Sequence, residues 1–466
     1  MADWVRAVAS RSSGSVHMLG IGGVGMAGLA LLLKSRGWRV TGCDVSEGPL
    51  LAWLRRQGIA VSIGHDPIHL ESAPDVLVRS PAVHVDEPEL QEARRLEIPV
   101  IDRGRLLPAL MDRHDVIAVA GTHGKTTTSS MIAWILHNAG IPVSYCIGGV
   151  CPGLGAVAAV REGGWMVIEA DESDGTLRHY RPRVAVITSM DLDHVDYFST
   201  AEALDDVYGP FARAAERAIY PGADRQAACL LTGREGATSF GLENDADWSA
   251  ARCLLDAAGS TFDVMHRGEL AGSIALGVSG RHNMLNALAA IAATRPLGVE
   301  WPAVARALAT FQLPRRRYER VAEGRGITVI SDYAHHPAEI AALLQQASME
   351  KRSRTIGVFQ PHRYSRTKAF GEGFLDVLAR LDHIVLAPVY AASEPEIEGG
   401  TSEDLAAAAR RRGFQHLELA DSVAAAWERL RAVWRAGDLV LIIGAGDVEV
   451  IGTWAREALA EGKQST

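Results

Sequence analysis

The stretch VIAVAGTHGKTTTSSMIAWILHNAG, residues 116–140, constrains this chain more than any other. It begins with a short apolar run, Val116 to Ala120, rich in β-forming residues, and turns through Gly121-Thr122-His123-Gly124. Lys125 and Thr126-Thr127-Thr128 follow. The next segment sets Met131, Ile132, Ile135 and Leu136 on one side of a helix. Strand, glycine turn, Lys-Thr, helix is the layout of a phosphate-binding loop. Glycines let backbone N–H groups close around phosphate oxygens, and the helix N-terminus adds the positive end of its dipole. Lys125 is placed to reach β- and γ-phosphates, and Thr126 to hold Mg²⁺. Val119 stands where the usual spacing has its first glycine, so the loop is a shortened variant opening at Gly121. Lys125 is expected to stand exposed in the loop rather than packed.

A chain of 466 residues has room for about three domains. With 48% hydrophobic residues it can bury large cores, and a net charge of −9 argues against a nucleic-acid or membrane-surface binder. The five cysteines (43, 146, 151, 229 and 253) form no CxxC pair and read as reduced cytosolic thiols, which makes a cytoplasmic location the expectation. The N-terminal MADWVRAVASRSSGS lacks the apolar core of a signal peptide. No run of about 18 apolar residues occurs, so no membrane span is expected.

In residues 1–110, a short strand Val16–Leu19 enters Gly20-Ile21-Gly22-Gly23-Val24-Gly25. A helix, Met26 to Arg36, and a second strand ending near Asp44 follow. This is GxGxxG in a βαβ setting with an acid about 20 residues on, the fingerprint of a pyrophosphate-carrying nucleotide. A UDP-sugar needs the same parts as NAD. Val76-Leu77-Val78 reads as a strand with Arg79-Ser80-Pro81 at its ligand-facing end, and Gly64-His65 is a weaker candidate.

In residues 111–313, two further apolar runs end in acids. Trp165–Ile168 leads into Glu169-Ala170-Asp171-Glu172-Ser173-Asp174, and Val184–Ile187 into Thr188-Ser189-Met190-Asp191-Leu192-Asp193-His194. In a parallel sheet these loops share one edge with the phosphate loop and bring Lys125, Thr126, Glu169 and His194 together. Hard carboxylate oxygens beside a phosphate loop suit Mg²⁺-nucleotide chemistry. His194 is a less usual Mg²⁺ ligand and could bind phosphate instead. The segment from Ser279 opens a helix over 283–294 whose polar start, with His282 and Asn286, either faces adenine or simply caps the helix.

Residues 314–466 begin at Pro314-Arg315-Arg316-Arg317 and repeat the pattern. Thr328–Ile330 ends in Ser331-Asp332-Tyr333-Ala334-His335-His336-Pro337. Thr355–Phe359 ends in Gln360-Pro361-His362-Arg363-Tyr364-Ser365-Arg366-Thr367. Helical patterns separate the strands, which predicts a third α/β domain around a mostly parallel sheet. Arg363 and Arg366 are spaced to clamp carboxylate or phosphate oxygens.

The ordered motifs GIGGVGMAG, AGTHGKTTT, EADESD, DHVDY, GRHNMLNALAA, RRRY, DYAHHPAEI, QPHRYSRT, VYAASE and GAGD resemble those of the Mur ligase family over nearly the whole chain. The resemblance implies three α/β domains: an N-terminal Rossmann-like domain for a UDP-sugar, a central P-loop ATPase-like domain, and a C-terminal Rossmann-like lid for an amino acid. It implies ATP and Mg²⁺, with UDP-N-acetylmuramate and L-alanine as substrates in peptidoglycan precursor synthesis, in a monomer or homodimer. Gly22, Gly23 and Gly25 would line the diphosphate site, with Asp44 and Ser80 near the nucleotide. Gly121, Thr122, His123, Gly124, Lys125, Thr126 and Thr127 would wrap the ATP phosphates. Thr126, Glu169 and His194 would ligate Mg²⁺. His282 and Asn286 would face adenine, and Arg317 the γ-phosphate. His335, His336, Arg363 and Arg366 would surround the reacting carboxylate and the amino acid. Ser189, Ser331, Leu313-Pro314 and Ser393 depart from the residues common in that family, which hold Asn, Asp, Gly-Val and Gly there.

A carboxylate and an amine form a salt at neutral pH, so amide formation needs activation, here as an acyl phosphate. Charge builds on phosphoryl and then carbonyl oxygens, which Lys125, Mg²⁺ and an arginine suit. Three rivals remain: a sister ligase that attaches a preformed peptide, an NAD-dependent dehydrogenase read from the first domain alone, and a non-catalytic nucleotide-binding regulator.

Overall fold

Long runs of buried apolar residues, bounded by glycine turns, form strands covered on both faces, the pattern of a parallel sheet between helices. The computed structural model describes residues 2–460 except 112–113, 173–174, 192, 194–197, 199 and 244. It holds three sheets in succession along the chain. The first runs, edge to edge, Ala60–Ile63, Trp38–Asp44, Gly14–Leu19, Val76–Arg79, Val100–Asp102, all parallel. Strand order reverses at Gly14–Leu19. The Gly20–Gly25 turn therefore opens at the switch point, where open α/β sheets take ligands.

In the second sheet Asp115–Ala120 lies between Val184–Ile187 and Trp165–Glu169. The registers Ala120↔Ile187 and Val119↔Glu169 bring three strand ends level, so the phosphate loop and both acidic loops share one edge as expected. Antiparallel strands Trp248–Leu255, Ser260–His266 and Glu269–Leu276 extend this sheet at one side. Helix Arg281–Thr294 packs along the phosphate-loop helix Lys125–Asn138. The third sheet runs Glu319–Gly324, Ile327–Asp332, Asp438–Ile443, Arg354–Phe359, His383–Leu386, Leu417–Leu419, parallel but for the first strand.

The cores divide the molecule unevenly. One apolar core runs without a break from Val8 through Leu29 and Ala30 to Val157, Ala158 and on to Leu231, so the first two sheets share it. Gly28 makes this contact possible: a Cβ there would press into Cys146 and lie 3.6 Å from Ala158. The buried members of the third sheet's two cores all come from residues 322–459. Among the described residues no helix is long and apolar enough to cross a membrane.

Candidate active site

The phosphate loop needs glycine at two places. Gly121 (φ +133°) and Gly124 (φ +80°) hold conformations that L side chains rarely adopt, and a Cβ at Gly124 would meet Asn286 Oδ1. No side chain caps the helix at Gly124, which leaves its first amides to a ligand. Lys125 is not exposed. Its Nζ donates to Gly121 O at 2.6 Å and to Glu172 Oε1 at 2.8 Å, and the side chain is only 16% exposed. Burial opposes its charge, but Glu172, Asp171 and Glu169 outweigh burial and push its pKa up. Sequence spacing set the lysine at the start of the loop's helix but did not show how closely the acidic loop holds it. Glu172 pays the reverse cost: burial lifts its carboxyl to about 7 despite Lys125.

Thr126 Oγ1 donates to Glu169 Oε1 at 3.0 Å, and Gly148 N donates to Glu169 Oε2 at 2.6 Å. Two hard oxygen donors thus meet at the loop, a set that suits Mg²⁺. His194 lies outside the described residues. Ser189 binds the loop from the neighbouring strand end: its carbonyl accepts from Thr122 N at 3.1 Å, and its hydroxyl from His123 N at 3.0 Å.

His123 reaches into the third domain. Its Nδ1 is 3.1 Å from Glu339 Oε1, and its Nε2 is 3.5 Å from Asp191. Burial disfavours the imidazolium, yet Glu339, Asp191 and Asp193 outweigh it and raise the pKa. Burial likewise opposes the Glu339 charge, but His335, His123 and Arg317 hold its carboxyl well below the usual range. Beside this pair lies a cavity of about 250 Å³ whose walls include Gly124, Thr127, His282, Asn286, Arg317 and Leu343. Asn286 Oδ1 accepts from Thr128 Oγ1 at 3.1 Å, which fixes the amide. Burial and Arg317 push His282 down to about 4, so it is neutral at pH 7. The Arg317 guanidinium lies 5.3 Å from the centre of the Tyr333 ring and 3.9 Å from Glu339.

The third domain brings His335, His336, His362 and Arg366 together. His335 Nδ1 is 3.0 Å from Tyr333 O. A carbonyl only accepts, so Nδ1 carries the hydrogen and Nε2 the lone pair. His336 is the reverse: its Nδ1 accepts from Ala338 N at 3.3 Å, so its buried Nε2 carries the hydrogen, and that atom has no hydrogen-bond partner. Burial pushes His335 down to about 4 and His362 to about 3. Arg366 makes a two-pronged pair with Asp193, 3.0 and 3.1 Å, with both side chains 4% exposed. It ties the third domain to the second instead of presenting an open clamp beside Arg363. Arg363 is 31% exposed and lies 3.6 Å from Glu394.

The glycine turn of the first domain lines a cavity of about 560 Å³ together with Asp44, His65, Ser80, Val83 and, from the third domain, Ser393. Asp44 Oδ2 accepts from Gly22 N at 2.8 Å, so this acid shapes the turn itself. Gly25 does not line the cavity; it lies under the Arg103 guanidinium, which reaches Asp171 at 3.3 Å. Sequence reasoning missed Arg103, Glu172, Asp193 and Glu339. Asp193 and Glu339 stand inside quoted motifs, but their partners lie more than 170 residues away in the chain.

Profiles of three domains match the chain in order: the Mur ligase family catalytic domain over residues 15–115, the Mur ligase middle domain over 119–294, and the Mur ligase glutamate ligase domain over 316–446. The chain belongs to the Mur ligase family. It is 43% identical over 467 residues to the UDP-N-acetylmuramate–L-alanine ligase of Kineococcus radiotolerans, covering 96% of this chain and 97% of that one. It is 39% identical over 455 residues to the enzyme of the same name from Syntrophotalea carbinolica, again covering 96% and 97%. The crystal structure of the UDP-N-acetylmuramate-alanine ligase of Thermotoga maritima superposes with a TM-score of 0.83 at 27% identity, covering 96% of this chain and all of that one. A murein peptide ligase from Psychrobacter arcticus gives 0.74 at 27% identity, covering 96% and 98%.

In this Mur ligase the departures have visible settings. Ser189 seats the phosphate loop by the two contacts given above. Leu313 lines the cavity of about 250 Å³, and Pro314 lies against Gly149. Ser393 holds φ +69° in the left-handed region, where a glycine would carry less strain. Ser331 is buried, and the neighbouring Asp332 accepts from Tyr318 N at 2.7 Å and Ala334 N at 2.8 Å.

Proposed function

We propose that this chain joins L-alanine to the lactyl carboxylate of UDP-N-acetylmuramate, using ATP, through an acyl phosphate. Residues 1–110 would take the UDP-sugar, 111–313 the ATP and 314–466 the amino acid. The observation that carries the reading is the meeting of the phosphate loop with the third domain. His123, Gly124 and Thr127 of the loop line one cavity with Arg317 and Glu339 of the third domain and with His282, and Lys125 and Thr126, beside them in the loop, hold Glu172 and Glu169. A dehydrogenase gives this constellation no task, and neither does a regulator that only binds nucleotide.

The γ-phosphoryl group gathers charge as it moves to the carboxylate. Lys125 gives up Glu172 for phosphate oxygens, and Glu172 accommodates the change because its raised pKa lets it take a proton. Arg317 supplies a second cation from the opposite domain. Thr126 and Glu169 would hold Mg²⁺, with His194 a further candidate; a bound Mg²⁺ would neutralise phosphate charge. His335 carries its lone pair on Nε2 and is neutral at pH 7, which fits an acceptor that orients the ammonium. His336 presents an N–H and fits a donor to a developing oxyanion. Closure of the third domain would exclude water from the acyl phosphate.

Phosphate release is measured with UDP-N-acetylmuramate, ATP and Mg²⁺, varying the amine. L-alanine is expected to support turnover and the preformed tripeptide not to. Turnover with the tripeptide alone would assign the chain to the peptide-attaching sister activity.

A further inference from the structure

The first domain holds a side-chain cluster that no step above uses. His17 stands on strand Gly14–Leu19, Cys43 on Trp38–Asp44, His69 in the turn Pro67–Leu70 and Glu89 on helix Pro88–Arg95. One ligand-type atom from each lies within 4.8 Å of all the others. His17, Cys43 and Glu89 are buried, and the His69 side chain is 15% exposed. The cluster sits one residue behind the UDP-sugar-sized cavity, since Asp44 next to Cys43 lines that cavity, as does His65.

The cluster is tightly knit. Thr41 Oγ1 is 3.4 Å from Val16 O and 2.8 Å from His17 Nδ1. A carbonyl only accepts, so Thr41 gives its hydrogen there and accepts from His17 Nδ1–H. His17 Nε2 faces Glu89 Oε1 at 2.8 Å, both buried. Two such groups this close need a positive charge with them, either a proton on the imidazole or a metal ion in its place. Glu89 Oε2 meanwhile accepts from Asp66 N at 3.1 Å and faces Cys43 Sγ at 3.2 Å and His69 Nδ1 at 3.4 Å.

We propose that His17 Nε2, Cys43 Sγ, His69 Nδ1 and the Glu89 carboxylate bind one zinc-type divalent ion. Two imidazoles, a thiol and a carboxylate are the donor set of zinc and not of Mg²⁺. Bond lengths of about 2.0–2.3 Å give a tetrahedron with edges of about 3.3–3.8 Å. The observed contacts to Glu89 of 2.8, 3.2 and 3.4 Å, and the 4.8 Å within which all four ligand atoms lie, depart from those edges by no more than about 1.5 Å. Thr41 orients His17 from outside, and His65 Nδ1, 3.0 Å from Cys43 Sγ, does the same for the sulfur. Binding forms a metal–sulfur bond and releases the Cys43 thiol proton to solvent. The ion would pin two strands, a turn and a helix together behind the cavity.

Full-length protein stripped of metal and titrated with Co²⁺ in excess Mg²⁺ tests this. One equivalent is expected to give the sulfur-to-cobalt charge-transfer band and the visible bands of a tetrahedral site. Cys43→Ser should abolish the charge-transfer band and Cys146→Ser should keep it. His69→Ala should weaken Co²⁺ affinity at least about tenfold. Zn²⁺ should raise the thermal midpoint of the parent protein but not of Cys43→Ser, which is near-isosteric and serves if His69→Ala does not fold. Absence of the band at one equivalent, a band that survives Cys43→Ser, or equal midpoint shifts in both proteins would overturn the proposal. None of these readouts depends on ligase activity, so the two proposals fail independently.

Discussion

Lys125 spends its charge on Glu172 in the structure, and a phosphate must take that charge over. Lys125→Ala is expected to cut ligation by about 10²–10³-fold or more, the scale seen when one charge-stabilising donor is lost. The fold should hold, because Glu172 is already raised to about 7 and can shed its charge once the cation is gone. Wild-type turnover by a folded variant would remove the phosphate-loop assignment. Arg363 and Arg366 look alike in sequence and part in the structure. Arg363 is the accessible one, so Arg363→Ala should raise the KM for L-alanine about 10- to 150-fold, the equivalent of about 1.5–3 kcal/mol for a charge-assisted pair. The KM for ATP should move little; steady-state kinetics with each substrate varied would show a selective rise for ATP if Arg363 serves the nucleotide instead.

At the scale of elements, two strand-end loops and the first turn of helix Arg281–Thr294 carry buried neutral histidines. His335 and His282 sit near 4 and His362 near 3, all below the ordinary value through burial. An unfolded chain therefore binds more protons than the folded one over that range. Their contribution is whole above the unfolded pKa of about 6.5 and drains away as pH falls toward about 4. Thermal midpoints should fall between pH 7 and pH 5, and fall less steeply in His335→Gln; equal slopes would mean His335 does not carry its share. These loops also mark how far the sequence could be read. The strand–turn–helix at 116–140 was legible because glycine and apolar periodicity act over a few residues. The strand ends that line up beside it were legible because parallel strands put their loops on one edge. The His123–Glu339 and Asp193–Arg366 pairs were not, since only the closed fold brings such distant residues together. The antiparallel strands at 248–276 gave no strong local signal, and the packing of Lys125 depends on an acidic loop more than 40 residues away.

Across the whole molecule, charge and apolar contact divide the work. Among the described residues the third domain shares no apolar core with the rest, and it meets the second domain through the Asp193–Arg366 and His123–Glu339 pairs. Removing one partner of such a buried pair costs about 3–5 kcal/mol at the contact, because the other charge is stranded. Asp193→Asn is milder, and it should loosen this contact without altering any residue assigned to ATP or UDP-sugar. X-ray scattering should show a larger radius of gyration for Asp193→Asn, shrinking toward the parent value when nucleotide and UDP-sugar are added. An unchanged radius would mean the pair does not hold the domain in place.

The continuous core from Val8 to Leu231 has a thermal consequence. Where apolar surface is shared, one part cannot melt without exposing its neighbour to water, so two sheets joined in this way form a single cooperative unit. Three sheets then make two calorimetric transitions rather than three: a larger one for the fused pair and a smaller one for the lid. Gly28 is the joint of the larger unit. A side chain there would wedge the first sheet's helix away from Cys146 and Ala158, and the larger heat-absorption peak would split.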